Sequence, residues 1–228
     1  MTDEFRYEYK YAPRHLPFMK EQIWEAKKQL SIYSDLSVHE FTQLDPFIDD
    51  GIKSVLEVGC GLGRGSIFLN HMLGDDNIKY VLADRSGYTT NTGDFNPPED
   101  EFYNDLVLTK DFCELNGIKN VRTFDTELDD WTSLPKVDLI FSLCSFGMHV
   151  SIERYIDRLI ATANDKCTMI FGTRNANGGP GGVGSGQGGN YGPNSFKDRF
   201  EEVIYQPGII AYPVLPIEDW LILKNPIR

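Results

Sequence analysis

Between Glu57 and Gly63 the chain reads Glu-Val-Gly-Cys-Gly-Leu-Gly, an acidic side chain followed by glycines at alternate positions. Glycine lets a backbone turn sharply and come close to a ligand. A helix opening after such a turn presents unpaired amides and a positive dipole end to a negative group. Asp84 follows Gly63 by about 20 residues, the separation at which a strand-end carboxylate accepts hydrogen bonds from ribose hydroxyls. Asp125-Thr126 and Ser142 close two further apolar runs, and His149 lies just beyond the second. Neutral imidazole suits proton removal near neutral pH. These residue types could hold a nucleoside-bearing ligand and move a proton beside it.

The spacing sorts among nucleotide-binding loops. A dinucleotide fingerprint, GxGxxG or GxGxxA, needs a small final residue; counting from Gly59 places Arg64 there, and counting from Gly61 places Ser66. A Walker loop needs Gly-Lys-Ser/Thr after four spacers, and the chain has none.

The surrounding elements must deliver these residues to one edge. From Leu16 to about Leu44 apolar residues recur at helical spacing, predicting one or two helices. SVLEVGCG reads as a buried strand, followed by a helix to Leu73 and a second strand, IKYVLAD. A helix from Asp105 to Leu115, stopped by Asn116-Gly117, precedes the strands NVRTFD and VDLIFSL. SIERYIDRLIATA reads as a helix, CTMIFGT as a strand, and FEEVIYQPG with EDWLILKNP as an antiparallel pair. Alternating strands and helices predict an α/β fold: a Rossmann-like, doubly wound, seven-stranded, mostly parallel sheet with one antiparallel strand near the edge. The expected organisation is one globular domain, with residues 1–50 an arm and helices capping a core at residues 51–228.

The ExGxGxG turn, Asp84, Asp125-Thr126 and the opening aspartate of VDLIFS occur in the order seen in class I S-adenosylmethionine-dependent methyltransferases, which the chain resembles from about Val55 to Phe171. The resemblance implies S-adenosyl-L-methionine as cofactor, held by Glu57, Gly59, Gly61, Gly63, Asp84, Arg85, Asp125, Thr126 and Ser142. Glu57 either faces the methionine end indirectly or bonds the glycine loop. The adenine-side acid is Asp125 or a neighbour: Glu127, Asp129 or Asp130. Ala83–Gly117, from Ala83-Asp84-Arg85-Ser86 through a polar stretch and Phe102–Leu106 to Leu115-Asn116-Gly117, and Ser142–Tyr155 are also similar to segments of sugar O-methyltransferases from bacterial polysaccharide gene sets. There an aromatic-Gly-aromatic-His pattern follows the fourth strand; here it reads Phe146-Gly147-Met148-His149.

The implied acceptor is a hydroxyl of a small molecule or saccharide, with His149 as general base or as the group that orients that hydroxyl. A purely structural His149 at a helix start is the competing reading. Protein, peptide or carboxylate methylation and a non-catalytic cofactor-binding module are the alternatives. Ser142-Leu143-Cys144-Ser145 lacks the Pro-Pro-aromatic of amino-directed DNA methyltransferases, and Asn96-Pro97-Pro98 follows the wrong strand. Asp94, Asn96, Glu99, Asp100 and Glu101 offer oxygens but read as a solvated loop, so no metal is expected. The Gly-rich segment 175–193 reads as a surface loop or a lid. Tyr7, Tyr9 and Tyr11 belong either to a flexible arm or strand, or to a lid over the cofactor.

A net charge of −12 over 228 residues opposes a nucleic-acid partner, since phosphate binding relies on Lys and Arg. No apolar run approaches the roughly 20 residues that cross a bilayer, and the charged, aromatic N-terminus does not read as a secretory signal. The four cysteines form no CxxC pair and sit among apolar neighbours, which predicts buried thiols in a cytoplasmic protein.

Overall fold

The computed structural model describes residues 7–22, 30–88, 103–143, 145–147, 150–174, 191, 193–208 and 218–227. Its strands are β1 (Ser54–Val58), β2 (Lys79–Asp84), β3 (Gly87–Tyr88), β4 (Tyr103–Asn104), β5 (Val121–Asp125), β6 (Val137–Ser142), β7 (Ala163–Arg174), β8 (Phe200–Gln206) and β9 (Glu218–Pro226). Its α-helices are α1 (Leu16–Gln22), α2 (Ser31–Leu44), α3 (Arg64–Leu73), α4 (Leu106–Leu115) and α5 (Ile156–Thr162). Seven strands form one sheet in the order β5-β2-β1-β6-β7-β9-β8. β9 runs antiparallel to both its neighbours, one place in from the edge. The predicted fold class is thus the one observed, with a two-stranded β3-β4 ribbon added.

The burial patterns follow from this layout. Central β6 is buried at nearly every position, as a strand covered on both faces must be. Edge strand β8 instead carries Glu201 and Glu202 exposed, charges that discourage pairing with another chain. The chain packs as two compact units, Met1–Asp45 with Cys60–Asp129 and Pro46–Gly59 with Asp130–Arg228.

In the first unit, residues 7–15 do not behave as a free arm or a strand. The Tyr9 ring is buried, stacked on Phe112, and its hydroxyl bonds Ser37 Oγ at 2.7 Å and donates to the Arg64 carbonyl at 3.0 Å. Lys10 exchanges two hydrogen bonds with the Asn116 amide, at 2.7 and 2.8 Å. His15 is fully buried; its Nδ1 accepts the Ala12 amide at 3.0 Å, so Nε2 donates to Asp111 at 2.6 Å. Buried Arg64 clasps buried Glu40 through two bonds of 2.5 and 2.9 Å, with a third to Ser37 at 2.8 Å. Single-point loss of either charge here would leave the other desolvated and unpaired.

In the second unit, Asp138 of β6 accepts from the Lys53 amide (3.0 Å), Ser54 Oγ (2.8 Å) and Asn164 Nδ2 (2.6 Å). This aspartate therefore sets strand register. α5 is shorter than its apolar periodicity predicts: residues 151–155 form turns, and β7 starts at Ala163 with no loop between. The Ile152 amide ahead of the helix donates to the Tyr191 hydroxyl at 2.7 Å. Cys60, Cys113 and Cys167 are buried free thiols, as predicted. Among the described residues no helix is long and apolar enough to cross a membrane.

Candidate active site

The glycine turn leaves β1 with Gly59, Gly61 and Gly63 all at positive φ (66°, 53° and 78°). Such backbone is costly for residues bearing a Cβ. Space forbids a side chain at two of them as well. A Cβ on Gly59 would lie 2.1 Å from Ser145 Cβ, and one on Gly63 2.6 Å from Cys113 Sγ. Gly63 then caps α3, and the turn closes through the Gly63 amide donating to the Cys60 carbonyl at 2.8 Å. The chain itself thus requires these glycines, so the signal for a ligand rests on the polar groups around them.

In the first unit those groups converge on the end of β2. β2 and β5 pair in parallel with Asp84 opposite Asp125, because both strands end their apolar runs at the same level. The Cys60 amide donates to the Ala83 carbonyl at 3.2 Å, drawing the glycine turn against this strand end. Asp84 accepts the Gly61 amide and the Arg85 amide, both at 2.8 Å. Its partly buried carboxyl is pushed up to about 6 by desolvation, against the pull of those two amides and the Arg85 charge. A carboxylate offers about four acceptor positions; two backbone amides leave it capacity for a ligand.

Asp125 has a different occupation. Its carboxylate accepts the Glu127 amide (2.9 Å), the Leu128 amide (3.2 Å) and the Ser86 amide (3.3 Å). It thereby shapes the loop after β5, and its own amide donates to Asp129 at 2.8 Å. The Thr126 amide donates to the Asp84 carbonyl at 2.9 Å. Of the neighbouring acids, Asp130 caps a short 3-10 turn by accepting the Thr132 amide at 2.9 Å.

Sequence reasoning passed over a second layer at this edge. Thr109 of α4 donates to the Gly61 carbonyl at 2.7 Å and lies 3.3 Å from Asn104 Oδ1. Asn104 is fully buried. The only signal available was a polar pair, Asn104-Asp105, ahead of a helix; Asp105 is the cap, accepting the Val107 amide at 2.8 Å.

The remaining predicted residues belong to the second unit. Glu57 is buried on β1, opposite Phe141 of β6. Ser142 is fully buried and its Oγ accepts the Phe146 amide at 2.9 Å. Gly147, at φ 91°, donates to the Val150 carbonyl at 2.8 Å and closes the loop after β6. Tyr191 is buried beside it, and burial pushes its hydroxyl up to about 12, helped by the Glu153 carboxylate that accepts from it. His149 lies outside the described residues, as do Cys144, Met148 and the acidic segment from Asp94 to Glu101. Among the described residues, no three His, Cys, Asp or Glu side chains group so as to hold a metal ion.

The fold has solved counterparts. The chain superposes on a proposed O-methyltransferase from Nostoc punctiforme with a TM-score of 0.55 at 12% identity, over 93% of this chain and 61% of that one. A proposed O-methyltransferase from Klebsiella pneumoniae gives 0.51 at 12% identity, over 84% and 80% of the two chains. An S-adenosylmethionine-dependent methyltransferase from Aquifex aeolicus gives 0.51 at 16% identity, over 86% and 93%. The fold is that of Rossmann-like methyltransferases. No protein-family model matches the chain, and no curated protein matches it by sequence. The chain spans about three fifths of the Nostoc protein.

Proposed function

We propose that this chain is an S-adenosylmethionine-dependent methyltransferase acting on a hydroxyl of a small molecule or saccharide. One observation carries the reading. At the end of β2 the Asp84 carboxylate is held by the Gly61 amide of the glycine turn at 2.8 Å and keeps room for further donors. That is what a vicinal ribose diol requires at the carboxyl edge of an open α/β sheet.

S-adenosylmethionine supplies a methyl group already activated on a sulfonium. Asp84 would hold its ribose, and Gly59, Gly61 and Gly63 would let the backbone approach it. Arg85, Thr126 and the Asp125 loop would border the adenine, with Glu57 and Ser142 towards the methionine end. A hydroxyl acceptor must lose its proton as the methyl arrives, and His149 would take it. The names of the Nostoc and Klebsiella proteins favour oxygen as acceptor atom. The net charge of −12 favours a small or saccharide acceptor over nucleic acid. Residues 51–228 would form the catalytic domain and residues 1–50 its cap, in a cytoplasmic enzyme.

Calorimetric titration with S-adenosylmethionine, S-adenosylhomocysteine and NAD, beside Asp84→Ala, tests this. Both sulfur ligands are expected to bind the parent protein, NAD not at all, and Asp84→Ala neither. Binding of NAD, or of no ligand, would overturn the proposal. With the cofactor established, His149→Gln should abolish turnover on hydroxylated acceptors while leaving cofactor affinity unchanged.

A further inference from the structure

A buried polar atom without a partner is rare, and each one calls for an explanation. Asn104 supplies one at the candidate site. The residue is fully buried, and among the described residues its side-chain Nδ2 finds no hydrogen-bond partner. Leaving such a donor unmet is unfavourable.

Its setting is constrained. Asn104 pairs with Gly87 across the β3-β4 ribbon, so its backbone is fixed three residues past Asp84. Its Oδ1 faces Thr109 Oγ1 at 3.3 Å, and that same hydroxyl donates to the Gly61 carbonyl at 2.7 Å. Gly61 in turn donates its amide to Asp84 at 2.8 Å. Asn104, Thr109, Gly61 and Asp84 therefore form an arc of polar groups within one unit, open between Asn104 and Asp84. The Asn104 side-chain amide acts on the Asp84 carboxyl as a donor that favours its charged form, although the pair does not reach the geometry of a well-formed hydrogen bond.

A gap between an N–H donor and a carboxylate acceptor matches one functional group. A hydroxyl donates once and accepts twice, so a single hydroxyl can accept from Asn104 Nδ2 while donating to Asp84. An ammonium would leave the Asn104 donor unmet, and an ether would leave the carboxylate without a proton. We infer that Asn104 is a ribose-recognition residue, whose side-chain amide donates to a ribose hydroxyl that Asp84 accepts from. The inference rests on the cofactor reading above and deepens it. The diol is gripped as acceptor and donor together.

Calorimetry with S-adenosylhomocysteine and its 2′-deoxy and 3′-deoxy analogues tests this on the parent protein, Asn104→Leu and Asn104→Ala, with thermal melting to confirm that each variant folds. Loss of one buried hydrogen bond should weaken S-adenosylhomocysteine by about tenfold or more. The loss should be smaller for the deoxy analogue that lacks the bridged hydroxyl. Unchanged affinity in a folded variant, or the same loss for all three ligands, would overturn the inference and leave the cofactor reading intact. If neither variant folds, the parent titration decides, and equal affinity for all three ligands sinks the role. Failure of the parent protein to bind S-adenosylhomocysteine overturns both readings.

Discussion

At the end of β2 the Asp84 carboxylate accepts two backbone amides and keeps acceptor capacity, while Asn104 holds a donor without a hydrogen-bond partner among the described residues. Beyond β6 the polar groups are consumed internally. Ser142 takes the Phe146 amide, and Tyr191 takes the Ile152 amide and gives its own proton to Glu153. Both regions sit where strands give way to loops, both contain glycines at positive φ, and both bury polar side chains. They differ in whether the folded chain satisfies its own polar groups. Where it does, the residues fix a loop; where it does not, polar capacity is left over.

The comparison breaks or sharpens under mutation. The largest effect is expected at Gly59. Gly59→Ala adds a Cβ at positive φ and 2.1 Å from Ser145 Cβ, and should cost about 3 kcal/mol of stability in chemical denaturation. Ser145→Gly in the same chain should recover the steric part and leave the backbone part. Full recovery would mean that φ at this turn is unstrained.

Next comes Tyr191→Phe, which leaves the Ile152 amide unmet and should cost about 1–3 kcal/mol of stability. S-adenosylhomocysteine affinity should stay unchanged. A fall in affinity without a fall in stability would move Tyr191 into the ligand site and dissolve the contrast.

The smallest effect is a pH dependence. Desolvation pushes Asp84 up to about 6 from an ordinary 3.8. A raised carboxyl stabilises the ligand-free fold below the lower value, and that contribution is lost as pH rises through about 6. Binding has the opposite sign, since ribose hydroxyls donate only to the ionised form. Affinity should therefore fall as pH drops below about 6, by up to about tenfold per unit. Asp84→Asn should flatten that profile; an unaltered slope would assign the titration to another group.

Sequence pattern made the strand ends legible because it reports on backbone period and on residue types at the turns. The glycine turn, Asp84 and the antiparallel β9 all followed from short-range signals. Pattern failed where long-range pairing decided the outcome. The apolar spacing of SIERYIDRLIATA is continuous, but α5 starts only at Ile156, and the Ile152 amide ahead of it bonds Tyr191, some 40 residues on. Tyr7, Tyr9 and Tyr11 alternate like an arm or strand, whereas Tyr9 is buried against Phe112 of α4. Asp125 has the expected type and place, but sequence could not reveal that three amides already share its carboxylate. Asn104 escaped notice because its meaning lies in a missing partner, which only coordinates reveal.

α4 is fastened along its whole length. Asp105 caps its start, Thr109 bonds the Gly61 carbonyl, Asp111 meets Arg14 and His15, and Asn116 exchanges bonds with Lys10. The side chains at its leading end are therefore ordered before any ligand arrives. Association would surrender little conformational entropy there. Its heat should come close to the heat of the hydrogen bonds formed, and a more flexible tether at Asn116 would show first as an entropic penalty, with the contacts themselves intact.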